Sequence, residues 1–243
     1  MRTLGVDMAS QPRATAACVL RWDRKVTVEF IACNLDDDAI VARCKEADHV
    51  GIDAPLGWPA PFVEFVSRQA RGEPVDGPWT DARRDTLRLR ATDRFVLAHT
   101  RLRPLSVSSD LIGVPAMRTA MLLSRLGVTR RDGSEGLHEV YPACALKVWG
   151  LPHRGYKGTD RQAQRRAILD ALAANLTKLE LDDETVNACL RWDHCLDALV
   201  SSLATRAGAL GRAHAPPSEE ASLAVREGWI VVPNATVDTL PQA

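Results

Sequence analysis

The sequence predicts an α/β fold built on a mixed sheet, and three observations carry that prediction. Two short apolar runs, Leu4-Gly5-Val6-Asp7 and His49-Val50-Gly51-Ile52-Asp53, read as buried strands, each closed by a lone aspartate. A hairpin and then a helix fit between them, and a strand–helix–strand step favours a parallel neighbour while a hairpin is antiparallel. A late segment, residues 183–210, repeats Val186, Leu190, Leu196, Val200 and Leu203 at helical spacing.

The elements follow in order. Residues 3–8 form the first strand. Residues 14–22 and 25–33 are strand-like and joined by Asp23-Arg24, a link short enough for a hairpin although it lacks glycine. Asp36-Asp37-Asp38 supplies a cap and negative charge for a helix through Ala47. The His49 strand stops at Ala54-Pro55-Leu56-Gly57-Trp58-Pro59. Residues 60–135 then read as a mainly helical insertion, with helices near 61–71, 80–100 and 114–126 between proline and glycine breakers. A fifth strand is expected over residues 137–141, ended by Pro142. Helix follows at 160–175, one continuous helix at 183–210, and a short strand at 227–233. The last ten residues are expected to fray.

The totals bound the class. At 243 residues the chain suits one large domain, 1–243, carrying that insertion. An apolar fraction of 46% is ample for a core, and 26% charged residues suit a soluble surface. No apolar stretch approaches the roughly 18 residues that span a bilayer, and the N-terminus lacks a signal-peptide core, so a cytoplasmic protein without a membrane partner is expected. The six cysteines include no C-x-x-C pair and read as reduced, buried thiols. His194 beside Cys195 is no metal pair, because neighbours on a helix point in different directions. Net charge is zero, which argues against whole-protein attraction to nucleic acid. Residues 68–103, however, hold nine arginines against five acids, a local excess that could face phosphate.

The carboxylates carry the chemistry. Asp7 and Asp53 each close an uncharged strand at what should be one edge of the sheet, where function gathers in sheets with parallel strands. Asp193 and Asp197, four apart, lie one turn above the other on the apolar side of the late helix. Ionised aspartates there need an arginine, a metal ion or a raised pKa. Glu139 lies on one side of its strand and could be a fourth ligand, a general base or a structural acceptor; Glu227 reads as a turn anchor. Buried carboxylates repel, so several converging imply a cation. Mg²⁺ or Mn²⁺ fits an all-oxygen donor set, and two such ions about 4 Å apart could cut a phosphodiester. Asp7 would bridge them, with Asp53 on one side and Asp197, helped by Asp193, on the other.

Gly5-Val6-Asp7, Gly51-Ile52-Asp53-Ala54-Pro55-Leu56-Gly57, Arg90-Ala91-Thr92-Asp93, Glu139-Val140-Tyr141-Pro142, Asp193-x-x-x-Asp197-Ala198-Leu199 and Glu227-Gly228-Trp229-Ile230 together resemble domain-of-unknown-function family 429. That family is regarded as predicted nucleases with an RNase H-like fold, and the resemblance runs from about residue 3 to 233. It implies a five-stranded mixed sheet flanked by helices, with acids at the end of the first strand, the fourth strand and the C-terminal helix. Asp7, Asp53 and Asp197 match those places; Asp193 and Glu139 are additions, giving Asp7, Asp53, Glu139 and Asp197 as catalytic candidates. Around them, Arg90, Thr92, Asp93, Arg94 and Lys157 could hold a nucleic-acid or nucleotide-like substrate, with Trp58 or Tyr156 stacking on a base. Two other classes use the same residues. An ATP-dependent phosphotransferase shares the early Gly-x-Asp, although Met8-Ala9-Ser10-Gln11-Pro12 follows it here in place of a glycine-rich phosphate turn. A non-catalytic binding or scaffold domain would keep the acids for structure.

Overall fold

The computed structural model describes residues 1–242. Its centre is β1 (Arg2–Asp7), in which every residue after Arg2 is buried, as an apolar run covered on both faces must be. β2 (Ala16–Trp22) returns antiparallel beside it, with Asp7 opposite Ala16, and β3 (Val26–Cys33) completes the hairpin through a bulge at Val19/Leu20. Asp36 caps α1 (Asp37–Glu46) by accepting the Ala39 N–H at 2.9 Å. β4 (His49–Asp53) then runs parallel to β1, setting Asp53 opposite Asp7.

Four helices separate β4 from the next strand: α2 (Ala60–Ala70), α3 (Asp81–Arg88), α4 (Ala91–Thr100) and α5 (Gly113–Leu126). The single helix expected over 80–100 is two, because the chain turns extended at Leu89 and Arg90. β5 (Leu137–Glu139) adds parallel to β4, and Pro142 opens a helix, α6 (Pro142–Val148), which the sequence reading left out. α7 (Gln162–Asn175) leads to β6 (Leu179–Glu180), parallel to β3. The sheet therefore has six strands, not five, in the order β5-β4-β1-β2-β3-β6, and β2 alone runs against the rest.

The late helix is also two. α8 (Asp183–Arg191) ends at Trp192, whose extended backbone starts α9 (Asp193–Ala209) in a new direction. α10 (Ala221–Glu227) occupies the approach to the expected final strand, of which only isolated bridges remain, Glu139 with Ile230 and Ala213 with Pro233. Glu227 closes a helix rather than a turn and is buried. The tail does not fray where it is described, since Val237 and Leu240 are buried; residue 243 lies outside the described residues. Ten helices among the described residues flank the sheet.

α9 lies across one face of the sheet, packed with α7 and α8 over Ala16, Cys18 and Leu20 of β2. α1 and α5 cover the other, over Leu4, Val6, Val50 and Ile52. α9 approaches so closely that a Cβ on Gly5 would strike the Ala198 carbonyl and the Ser202 amide, and one on Gly51 would strike Thr205. Those two glycines seat the helix on β1 and β4. No described helix is long and apolar enough to cross a membrane.

Candidate metal centre

The register of the sheet sets two carboxylates side by side. Asp7 and Asp53 are paired positions at the carboxyl ends of adjacent parallel strands, so their side chains share a face. α9, seated on Gly5 and Gly51, brings Asp197 over them. One carboxylate oxygen from each of Asp7, Asp53 and Asp197 lies within 4.8 Å of the others.

Three acids this close are poor company without a cation. Burial pushes the Asp53 carboxyl well above its usual range, reinforced by Asp7. Burial likewise pushes Asp197 up to about 6, although Lys157 opposes the rise. Tyr156, itself buried, donates its hydroxyl to Asp197 Oδ1 at 2.7 Å. Asp197 Oδ2 is buried and meets the Lys157 ammonium at 2.8 Å. Three carboxylates converging on one point, with the Asp197 side chain buried, are an all-oxygen donor set suited to a hard divalent cation such as Mg²⁺ or Mn²⁺. The residues fit the ion.

Two basic side chains of the protein border the cluster. Lys157 is mostly exposed and reaches inward from the loop between Gly155 and Gly158; burial would lower its pKa, but Asp197, Asp53 and Asp7 raise it above its ordinary value. His194 Nδ1 sits 2.7 Å from Asp7 Oδ2, and that hydrogen bond lifts the imidazole pKa, outweighing its partial burial. Sequence reasoning set His194 aside with Cys195. The two do diverge, His194 toward Asp7 and Cys195 toward Cys33, yet the divergence is what delivers the imidazole to the site.

The other expected residues fall elsewhere. Asp193, the first residue of α9, is not in the trio; its Oδ2 accepts the Gly158 N–H at 2.7 Å, fixing the loop that carries Lys157. It sits one turn before Asp197 at the very start of α9, over the 155–158 loop and short of the trio. Glu139 is buried and held by Arg90 through two contacts of 2.7 Å, with Leu56 N–H donating to Oε2 at 3.0 Å. Burial raises its pKa against the pull of Arg90. That ion pair leaves Glu139 a structural acceptor instead of a ligand or base.

Arg90 likewise serves the interior. Its guanidinium binds Glu139, Asp93 and the Glu227 carbonyl, leaving no donor for phosphate. Burial would lower its pKa, but Glu139 and Asp93 hold it above the ordinary value. Asp93 is spent on that pairing and on capping the Arg90 N–H at 2.9 Å. Thr92 is buried and accepts the Ile230 N–H at 2.8 Å. Arg94 is surface-exposed, bonding the Leu89 carbonyl at 2.8 Å. Trp58, in the Asp53 turn, is half-buried. Of the substrate candidates, Tyr156 and Lys157 reach the carboxylates. Both also line a cavity of about 260 Å³ that opens beside Asp53 between Pro55, Leu105 and Tyr141.

No curated protein matches the chain. Among solved structures, the Thermus thermophilus RuvC structure aligns over 87% of this chain and 96% of its own at 12% identity, with a TM-score of 0.32. At that score the likeness carries no argument, and the strand order and carboxylate geometry stand on their own. The family model described as "Protein of unknown function (DUF429)" matches residues 5–221, so the chain belongs to the DUF429 family.

Proposed function

We propose that the protein is a divalent-metal-dependent nuclease of RNase H-like architecture, hydrolysing phosphodiester bonds in a nucleic-acid or nucleotide-like substrate. The observation that carries this reading is the trio Asp7, Asp53 and Asp197, gathered within 4.8 Å from three remote parts of the chain. The strand order supports the architecture: β2 alone is reversed, and the acids stand at the ends of β1 and β4 and on α9. When bound, Mg²⁺ or Mn²⁺ would supply Lewis-acid activation of water and charge stabilisation on the phosphate.

The chain's own residues do the rest. Asp7, Asp53 and Asp197 would hold the ion, and Tyr156 fixes the Asp197 carboxylate by its hydrogen bond. His194 keeps a proton at Nδ1 against Asp7, where it can balance charge or protonate a leaving group. Lys157, between Gly155 and Gly158 and mostly exposed, stands at the edge of the trio where it could meet a substrate phosphate. The adjoining cavity combines apolar side chains such as Leu105, Ile112 and the Tyr141 ring with the charged Asp53, Arg90, Glu139 and Lys157, a lining that can take a planar base beside the carboxylates.

Asp7→Asn tests the reading directly. The variant should keep its circular dichroism spectrum, lose stoichiometric Mn²⁺ binding in titration calorimetry, and lose Mn²⁺-dependent cleavage of labelled oligonucleotides. Undiminished metal-dependent cleavage by that variant would overturn the proposal.

A further inference from the structure

Asp53, Asp7, Ala16 and Cys33 are successive partners across β4, β1, β2 and β3, so they form one transverse row beneath α9. α9 answers that row with Asp197 and His194 at the carboxylates and Cys195 at its far end. There the Cys33 and Cys195 sulfurs lie 2.8 Å apart, inside the contact distance of two unbonded sulfurs. We infer that Cys33 and Cys195 are a dithiol oxidation site that takes a peroxide as its oxidant and closes reversibly to a disulfide. This inference does not depend on the nuclease reading.

The two thiols differ in the way such a pair requires. Cys33 ends a strand and is half-buried, within reach of solvent, while Cys195 is buried behind it. The Cys33 thiol is held below its ordinary pKa by the hydrogen bond from Cys195 and by the charge of His194, against burial and the acids Asp7 and Asp193. Cys189 and Cys18 are nearby but buried, and burial raises both thiols, Cys189 to about 12. Cys44 and Cys144 pack in other parts of the core. The nucleophile is therefore Cys33 and the resolving thiol Cys195.

The chemistry balances with one peroxide. The Cys33 thiolate attacks a peroxide oxygen, the O–O bond breaks, and hydroxide leaves to take up the proton that Cys33 has shed. The Cys195 sulfur then attacks the Cys33 sulfenic acid, the S–O bond breaks, and water departs with the Cys195 proton. Two thiols have lost two electrons and the peroxide has become two waters. The sulfurs need approach by less than about 1 Å to reach disulfide length. The bond would tie the end of β3 to the turn of α9 that carries His194 and Asp197. In a reducing compartment the pair rests as thiols, and such bridges form transiently.

Brief treatment of the folded protein with hydrogen peroxide, followed by alkylation and non-reducing digestion, tests this. The expected result is loss of the mass of two hydrogens per chain, a Cys33–Cys195 linked peptide, and reversal by dithiothreitol. Cys33→Ser and Cys195→Ser should each abolish the linked peptide. Full alkylation of both thiols after oxidation, or a linkage through Cys189 instead, would overturn it.

Discussion

Asp197 is buried with a carboxyl pushed up to about 6 from an ordinary 3.8, so the folded protein binds a proton that the unfolded chain has already shed. Between those values folding is favoured by acid: the metal-free protein gains stability as pH falls from 7 toward 4, by up to about 3 kcal/mol from this group. Other residues pull the opposite way, notably His138, pushed down to about 4 by burial and His49. The clean readout is a difference. In chelator, the stability of wild type minus that of Asp197→Asn should rise as pH falls through 6. Mn²⁺ affinity should fall over the same interval, because the ion needs the ionised carboxylate. A flat difference would refute the burial argument. The same scale shows what could be read from residues alone. Asp7 and Asp53 were legible because a charge at the end of an uncharged strand has few other uses. Arg90 was misread as a phosphate ligand because its partner Glu139 is 49 positions away, a distance no local pattern bridges. Arg90→Met should cost about 3–5 kcal/mol in urea unfolding, since it leaves Glu139 and Asp93 buried without their cation. Adding Glu139→Gln should recover part of the loss.

At the scale of elements, α9 holds the site by its seating. Gly5→Ala would force a methyl into the Ala198 carbonyl and the Ser202 amide, and backbone on both sides leaves little room to yield. The expected cost is about 3 kcal/mol, at the high end for overpacking. Weaker Mn²⁺ binding should accompany it, because lifting the helix lifts Asp197. A Gly5→Ala protein with full metal affinity would show that the seat does not set the ligand. The periodicity of residues 183–210 showed helix correctly but not the break at Trp192, where neither glycine nor proline marks the turn. Asp193 and Asp197 look equivalent in sequence and are not: Asp193 opens α9 and accepts the Gly158 N–H, while Asp197, one turn on, lies over Asp7 and Asp53. β6 escaped notice because two residues carry no period. The expected strand over 227–233 is reduced to single bridges at Ile230 and Pro233, because Glu227 belongs to α10 and the apolar run after Gly228 packs its side chains into the core without extended pairing.

Across the whole molecule, the alternation of apolar runs and helices was enough to show a mixed sheet, since a hairpin gives an antiparallel pair and a crossover a parallel one. It could not supply how closely the layers approach, and the carboxylate trio depends on that approach. One consequence concerns opening. α9 packs on β1, β2 and β4 and is buried along most of its length, so the helix that presents Asp197 is also the spine of the larger core. Its amide hydrogens, with those of β1, should be the slowest to exchange with deuterium, giving way only when the entire chain unfolds. Faster exchange there than in α2 or α3 would contradict this. Asp197 thus sits on the part of the protein least able to breathe, while Asp53 faces the open cavity, so any approach to the trio runs along that cavity and not through α9.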